Sequence, residues 1–177
     1  MTKELSDHSE FDSLIIQINE RSLSQIQFVA VLDNIRSLHN VGSIFRTADG
    51  AGVGKFYLCG MTGTPPRSEI RKAALGAEDH VPWEYFRTTG EALGKLRADG
   101  YHLVALENNT PRAKDFRNVE YEFPLALVIG HEYNGIAEEI LSSCETVIFL
   151  PMHGKKSSLN VAVAFGIAAY EINARLY

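Results

Sequence analysis

From Phe28 onward, nearly polar-free runs of strand length alternate with stretches whose apolar positions recur every three or four residues. Phe28–Leu32 (FVAVL), Lys55–Cys59 (KFYLC), Tyr101–Glu107 (YHLVALE), Leu125–Gly130 (LALVIG) and Val147–Leu150 read as strands. Asn40–Ala51 sets Val41, Ile44, Phe45 and Ala48 on one side of a helix that Gly50 and Gly52 stop. Glu69–Leu75, Thr89–Ala98 and Ala137–Ser142 are predicted helices, and Phe11, Leu14, Ile15 and Ile18 carry helical spacing upstream. Met61–Arg67 and Asn108–Glu122 read as loops. A final long helix is expected from about Ser158, capped by Ser157 or Ser158. From Leu159 to Tyr170 almost every residue is apolar or small, which predicts a helix buried on all sides. Its preceding loop, Pro151–Ser157, would then stand at the mouth of a site.

Apolar strands alternating with helices predict a single α/β domain, a mainly parallel sheet covered by helices on both faces. The expected division is an N-terminal helical segment at residues 1–27 and the domain proper at 28–177. Strand order does not follow from the pattern.

Composition changes this picture little. The 177 residues suit one domain, and 45% hydrophobic with 22% charged residues is globular usage. A net charge of −5 argues against a generally basic nucleic-acid binder, so a polyanionic partner would need a local basic patch. The start (MTKELSDHSEFDS) has no apolar leader core, and no apolar run approaches the roughly 20 residues of a membrane span. Cys59 and Cys144 are expected as buried thiols, and the location as cytoplasmic.

Several familiar patterns fail on order or spacing. Gly50, Gly52 and Gly54 follow a helix and precede a strand, the reverse of a dinucleotide fingerprint. Gly154-Lys155-Lys156-Ser157 lacks the earlier glycine of a phosphate loop, since Phe149 stands there. Those lysines read equally as a solvated pair and as phosphate contacts. His131-Glu132 has Gly135 where a zinc helix needs its second histidine, so no metal site is predicted. Asn40 reads equally as a helix cap and as a functional amide, and Arg46 as a surface residue or a functional cation. A recurrence favours function: the segments Leu32–Arg46, Val128–Gly135 and Leu150–Asn160 each lead from a strand end into a polar or glycine-rich turn. Ligands of parallel sheets collect beyond such ends.

On these residues the chain resembles the SpoU/TrmH family of SPOUT RNA ribose 2′-O-methyltransferases. Asn40, Gly42 and Arg46, followed by Thr47-Ala48, match its first motif. Gly130, Glu132 and Gly135 match the second; Pro151, Met152, Gly154 and Ser158-Leu159-Asn160-Val161-Ala162 match the third. The three occur in order across about Phe28–Ile172. The resemblance implies a C-terminal trefoil knot, S-adenosyl-L-methionine as cofactor and a homodimer with the site near the subunit interface. It implies a cofactor wall of Leu106, Glu107, Gly130, Leu150, Met152, Ser158 and Leu159. It also implies catalytic roles for Arg46, Asn40, Ser158, Asn160 and Glu132. Arg46 is expected to bind phosphate and stabilise a developing alkoxide, because a guanidinium stays protonated in proteins. His131 and Tyr133 depart from the family pattern, where Asn and Gly are common, and a bulky Tyr133 would narrow substrate choice or close over the cofactor.

The implied partner is RNA, with tRNA ahead of rRNA because only about 27 residues precede the first strand. Arg36, Arg67, Arg71, Lys72, Lys155, Lys156 and the Arg112–Arg117 loop are expected phosphate contacts. Two alternatives remain at this stage: a catalytically silent RNA-binding or assembly module of the same fold, and a flavodoxin-like nucleotide binder.

Overall fold

Five-residue runs such as Leu125–Ile129 lack polar side chains because both of their faces are covered. The computed structural model describes residues 26–177, so the expected helix around Phe11–Ile18 lies outside them. In chain order the elements are β1 (Phe28–Asp33), α1 (Leu38–Gly50), β2 (Phe56–Cys59), α2 (Ser68–Ala74), α3 (Ala77–His80), β3 (Trp83–Phe86) and α4 (Thr89–Ala98). Then follow β4 (His102–Leu106), β5 (Lys114–Asp115), β6 (Leu125–Ile129), α5 (Glu138–Ser142), β7 (Thr146–Phe149) and α6 (Val161–Leu176). The strands form one seven-stranded sheet in the order β3-β2-β1-β6-β4-β7-β5, and every pairing is parallel.

Alternate residues of the inner strands enter opposite cores. Ala30 and Leu32 of β1, Phe56 and Leu58 of β2, and Leu127 and Ile129 of β6 pack with α1 and with Phe165, Ala168, Ala169 and Ile172 of α6. Val29, Val31, Tyr57, Ala126 and Val128 face the other way, onto Ala92, Leu93 and Leu96 of α4. Phe45 and Phe56 meet edge-on at 4.7 Å between ring centres, with Phe165 6.0 Å from Phe56. This joins α1, the sheet and α6 in one cluster. Both cysteines are buried and free, and burial pushes each thiol up to about 12, so they stay neutral.

Gly42 has a packing role. A Cβ there would stand 2.4 Å from the Ile70 carbonyl oxygen and 2.7 Å from Ala73 Cβ, so only glycine lets α2 lie this close to α1.

Within the described residues the expected elements are present, with corrections at several ends. Ser37, not Asn40, caps α1: its hydroxyl oxygen accepts from the Asn40 N–H at 3.2 Å. The final helix starts at Val161 and is capped by Asn160, not by Ser157 or Ser158. That helix is also not buried all round. Phe165, Ala168, Ala169 and Ile172 form its inner stripe, while Val163, Ile167 and Tyr170 stand 52%, 40% and 55% exposed on the outside. The helix lies against one face of the sheet and touches α1, so its second apolar face has no cover within the described chain. The sequence reading missed β3, α3 and the two-residue β5, which falls inside the expected 108–122 loop.

Candidate active site

Four adjacent strands, β1, β6, β4 and β7, end on the same side, and the segments leaving them surround a cleft of about 730 Å³. This is the size of a small-molecule site. Leu106, Ile129, Leu150, Leu159 and Val161 give it apolar walls. Glu107, Gly130, Glu132, Ser158, Asn160 and Asn40 supply polar atoms or open backbone at the rim. A flat, largely uncharged ring with a polar edge fits such a lining.

The segments leaving β1 and β6 and the start of α6 meet through one chain of hydrogen bonds. The Glu132 carboxylate accepts from the Arg36 and Ser37 backbone N–H groups, each at 3.1 Å, and from the Asn40 amide at 3.0 Å. The Asn40 side-chain oxygen in turn accepts from the Asn160 amide nitrogen at 3.1 Å. The remaining Asn160 oxygen takes the Ala162 and Val163 N–H groups at 2.9 and 3.4 Å, which caps α6. A carboxylate only accepts, so Asn40 must donate to it; that leaves Asn40 Oδ1 for Asn160, and Asn160 Oδ1 for the helix. Partial burial opposes the charge on Glu132, but its own N–H, those of Ser37 and Arg36, and the Asn40 amide outweigh it. The carboxyl is held below the usual range and is ionised near neutral pH.

Two further fastenings shape the cleft. Glu107 accepts from the Asn109 and Ile136 N–H groups, both at 3.0 Å, and so ties the turn after β4 to the turn after β6. Asn108 donates to the Leu150 and Ser157 carbonyls at 3.2 and 3.1 Å and accepts from the Leu150 N–H at 3.3 Å. It thereby pins both ends of the loop between β7 and α6. Its place in a polar loop gave no sign of this in the sequence.

Of the residues expected to line a cofactor, the cleft gathers Leu106, Glu107, Gly130, Leu150, Ser158 and Leu159. Met152 is half-buried and outside the lining. Of the expected catalytic set, Asn40, Glu132, Ser158 and Asn160 line it, whereas Arg46 is exposed on α1 outside the lining. Arg46 has no hydrogen-bond or ion-pair partner among the described residues. Leu159 is 40% exposed rather than buried. Arg36 joins the lining, whereas in the Arg112–Arg117 loop both arginines are engaged within the chain and the exposed Lys114 is the loop's one cation without a hydrogen-bond or ion-pair partner among the described residues. Arg112 donates to the Leu141 and Cys144 carbonyls, and Arg117 grips Asp115 at 2.6 Å, holding that carboxyl down at about 2.

The family model for SpoU rRNA methylases matches residues 27–170. The chain belongs to the SpoU rRNA methylase family. YacO of Bacillus subtilis, assigned to the TrmH family as a tRNA/rRNA methyltransferase, is 32% identical over 166 residues, covering 94% of this chain and 65% of YacO. The chain thus spans just under two thirds of that SpoU relative. Among solved structures, the AdoMet-bound rRNA methyltransferase of Sinorhizobium meliloti superposes with a TM-score of 0.81 at 28% identity, over 90% of this chain and 60% of that one. A structure solved for insight into 2-OH methylation of C/U34 on tRNA gives 0.75 at 26% identity, over 84% of this chain and 95% of the other. The single α/β domain with a parallel sheet covered by helices, expected from the sequence, is therefore the fold observed, and solved methyltransferases share it. No described helix is long and apolar enough to cross a membrane.

Proposed function

We propose that this chain is an S-adenosylmethionine-dependent RNA methyltransferase that acts on a ribose 2′-hydroxyl, in tRNA ahead of rRNA. The observation that carries this reading is the Glu132–Asn40–Asn160 junction, which brings all three motif segments to the rim of one cleft. The AdoMet-bound relative supports the cofactor, and the compact tRNA-linked relative, nearly all of which this chain covers, supports the substrate class.

In this reading Leu106, Leu150 and Leu159 hold the adenine side of the cofactor, and the open backbone at Gly130 admits it. When bound, the cofactor supplies a methyl group that passes from sulfur to the ribose oxygen, the bond pair staying on sulfur and the hydroxyl proton leaving to solvent. Ser158 and Asn160 orient the ribose. Glu132 keeps Asn40 and Asn160 turned in their one permitted sense. Arg46 acts as a fixed cation, binding an RNA phosphate and stabilising charge on the 2′-oxygen. Its exposed place on α1 suits delivery to the site of a second subunit. The uncovered apolar face of α6 supports the homodimer that this needs. The trefoil knot implied by the resemblance belongs to the same reading.

Mass-spectrometric mapping of ribose methylation in tRNA and rRNA from a deletion strain tests it. Loss of one or a few 2′-O-methyl sites in tRNA is expected. Loss confined to rRNA would move the substrate. Unchanged maps, with no methyl transfer by the purified protein to that RNA, would overturn the reading.

A further inference from the structure

We propose that Tyr133 is the platform on which the base of the target nucleotide stacks, an inference that rests on the RNA-methyltransferase reading above. Tyr133 is 90% exposed and lies on the lining of the cleft. Its backbone is nevertheless firmly held. The Tyr133 and Asn134 N–H groups donate to His131 Nδ1 at 3.0 and 3.2 Å. The Gly135 N–H donates to the His131 carbonyl at 2.9 Å, closing the turn as an antiparallel bridge. On either side, Glu132 is anchored to the start of α1, and Ile136 N–H is anchored to Glu107. Gly135 sits at φ 64°, where a Cβ would collide with the Glu107 carboxylate, so this corner admits little else.

Because Nδ1 receives two donors it carries no proton, which leaves the proton of the neutral ring on Nε2. His131 is therefore a positioning residue: its ring serves as an acceptor that fixes the turn carrying Tyr133. A rigidly presented tyrosine offers a flat amphipathic surface at low entropic cost. Proteins that read unpaired RNA use such rings to stack splayed bases. A ribose reaching into the cleft leaves its base at the rim, where this ring stands. Arg36, fastened to neighbouring Glu132 through its backbone, has a guanidinium without a partner among the described residues, available to the phosphate of the same nucleotide. Stacking tolerates any base, so Tyr133 contributes affinity for an extruded nucleotide without choosing its identity.

The test follows transfer of labelled methyl groups from S-adenosylmethionine to total tRNA of the deletion strain, with total RNA in parallel. Tyr133→Ala should raise KM for RNA roughly 5- to 100-fold, and Tyr133→Phe should restore it. The value of kcat should stay within about threefold, the signature of lost binding rather than lost chemistry. His131→Leu should also raise KM, but add nothing in the Tyr133→Ala background. Calorimetry with S-adenosylhomocysteine and sedimentation should show unchanged affinity and mass. An unchanged KM overturns the proposal. So does weakened cofactor binding, which would make Tyr133 a cover over the cofactor, or a weakened dimer, which would place it under the partner subunit. Wild-type protein that transfers no methyl to either RNA would instead sink the parent reading, and the platform with it.

Discussion

The cleft-side start of α6 and the outer face of the same helix differ in how far one chain completes them. At the start, every polar side chain of the junction has its partner: Glu132, Asn40 and Asn160 satisfy one another and the first turn of the helix. On the outer face, Val163, Ile167 and Tyr170 stand in solvent, and Arg46 on neighbouring α1 is equally without a partner. Binding surfaces that must be rigid are finished within the fold. The parts left open are those that, in the proposed dimer, a second subunit would complete.

The sharpest way to break this contrast is Arg46→Ala. Loss of a stabilising cation is expected to lower methyl transfer at least ~100-fold, with S-adenosylhomocysteine affinity unchanged by calorimetry. If Arg46 serves the site of a partner, mixing Arg46→Ala with Ser158→Ala subunits should recover part of the activity that each lacks alone. Loss of cofactor binding in Arg46→Ala would assign Arg46 to the cleft's structure instead.

A smaller effect is expected within the finished side. Glu132→Gln leaves one oxygen where two served three donors, at a cost of about 1–3 kcal/mol, read from the urea midpoint near pH 7. The sign with pH follows from the depressed carboxyl. Its contribution is fully present above the ordinary glutamate value of about 4.3 and is lost as pH falls through the lower folded value. The two stability curves should therefore converge at acid pH. Parallel curves would contradict an ionised Glu132 at the junction.

Leu159→Asp is expected to have the smallest effect on folding, less than about 1 kcal/mol, because the side chain is 40% exposed. Cofactor affinity should still fall at least ~10-fold, since the charge would face an apolar wall. An unfolded variant, or one that binds normally, would move the cleft wall elsewhere.

Most of the sheet was legible because strands covered on both faces must be almost wholly apolar, as Phe28–Leu32 of β1 and Leu125–Ile129 of β6 are. Trp83–Phe86 escaped because it is an edge strand, half exposed, with Glu84 paired to Lys55 at 2.8 Å. Lys114–Asp115 is too short to show any period. The cap of α1 was misplaced because Ser37 and Asn40 are both good capping residues, and only the fold shows that the Asn40 side chain is committed to Glu132 and Asn160. The apolar run Val161–Ala169 of α6 led to the expectation of a helix buried on all sides, but composition does not say whether the same chain covers both faces. Motif spacing found most of the cleft. Asn108 stayed hidden because its partners lie 42 and 49 residues away.

That clasp makes the crossing to α6 unequal in its tolerance of changed length. The exposed residues 153–156 lie between two pinned points, so a change of length there would be absorbed as in a handle, without shifting what it is attached to. The short spacer from Ser157 to Asn160 has no such slack. One residue more or fewer there would carry the helix cap out of reach of Asn40, and the enclosure would lose the wall that the last helix provides.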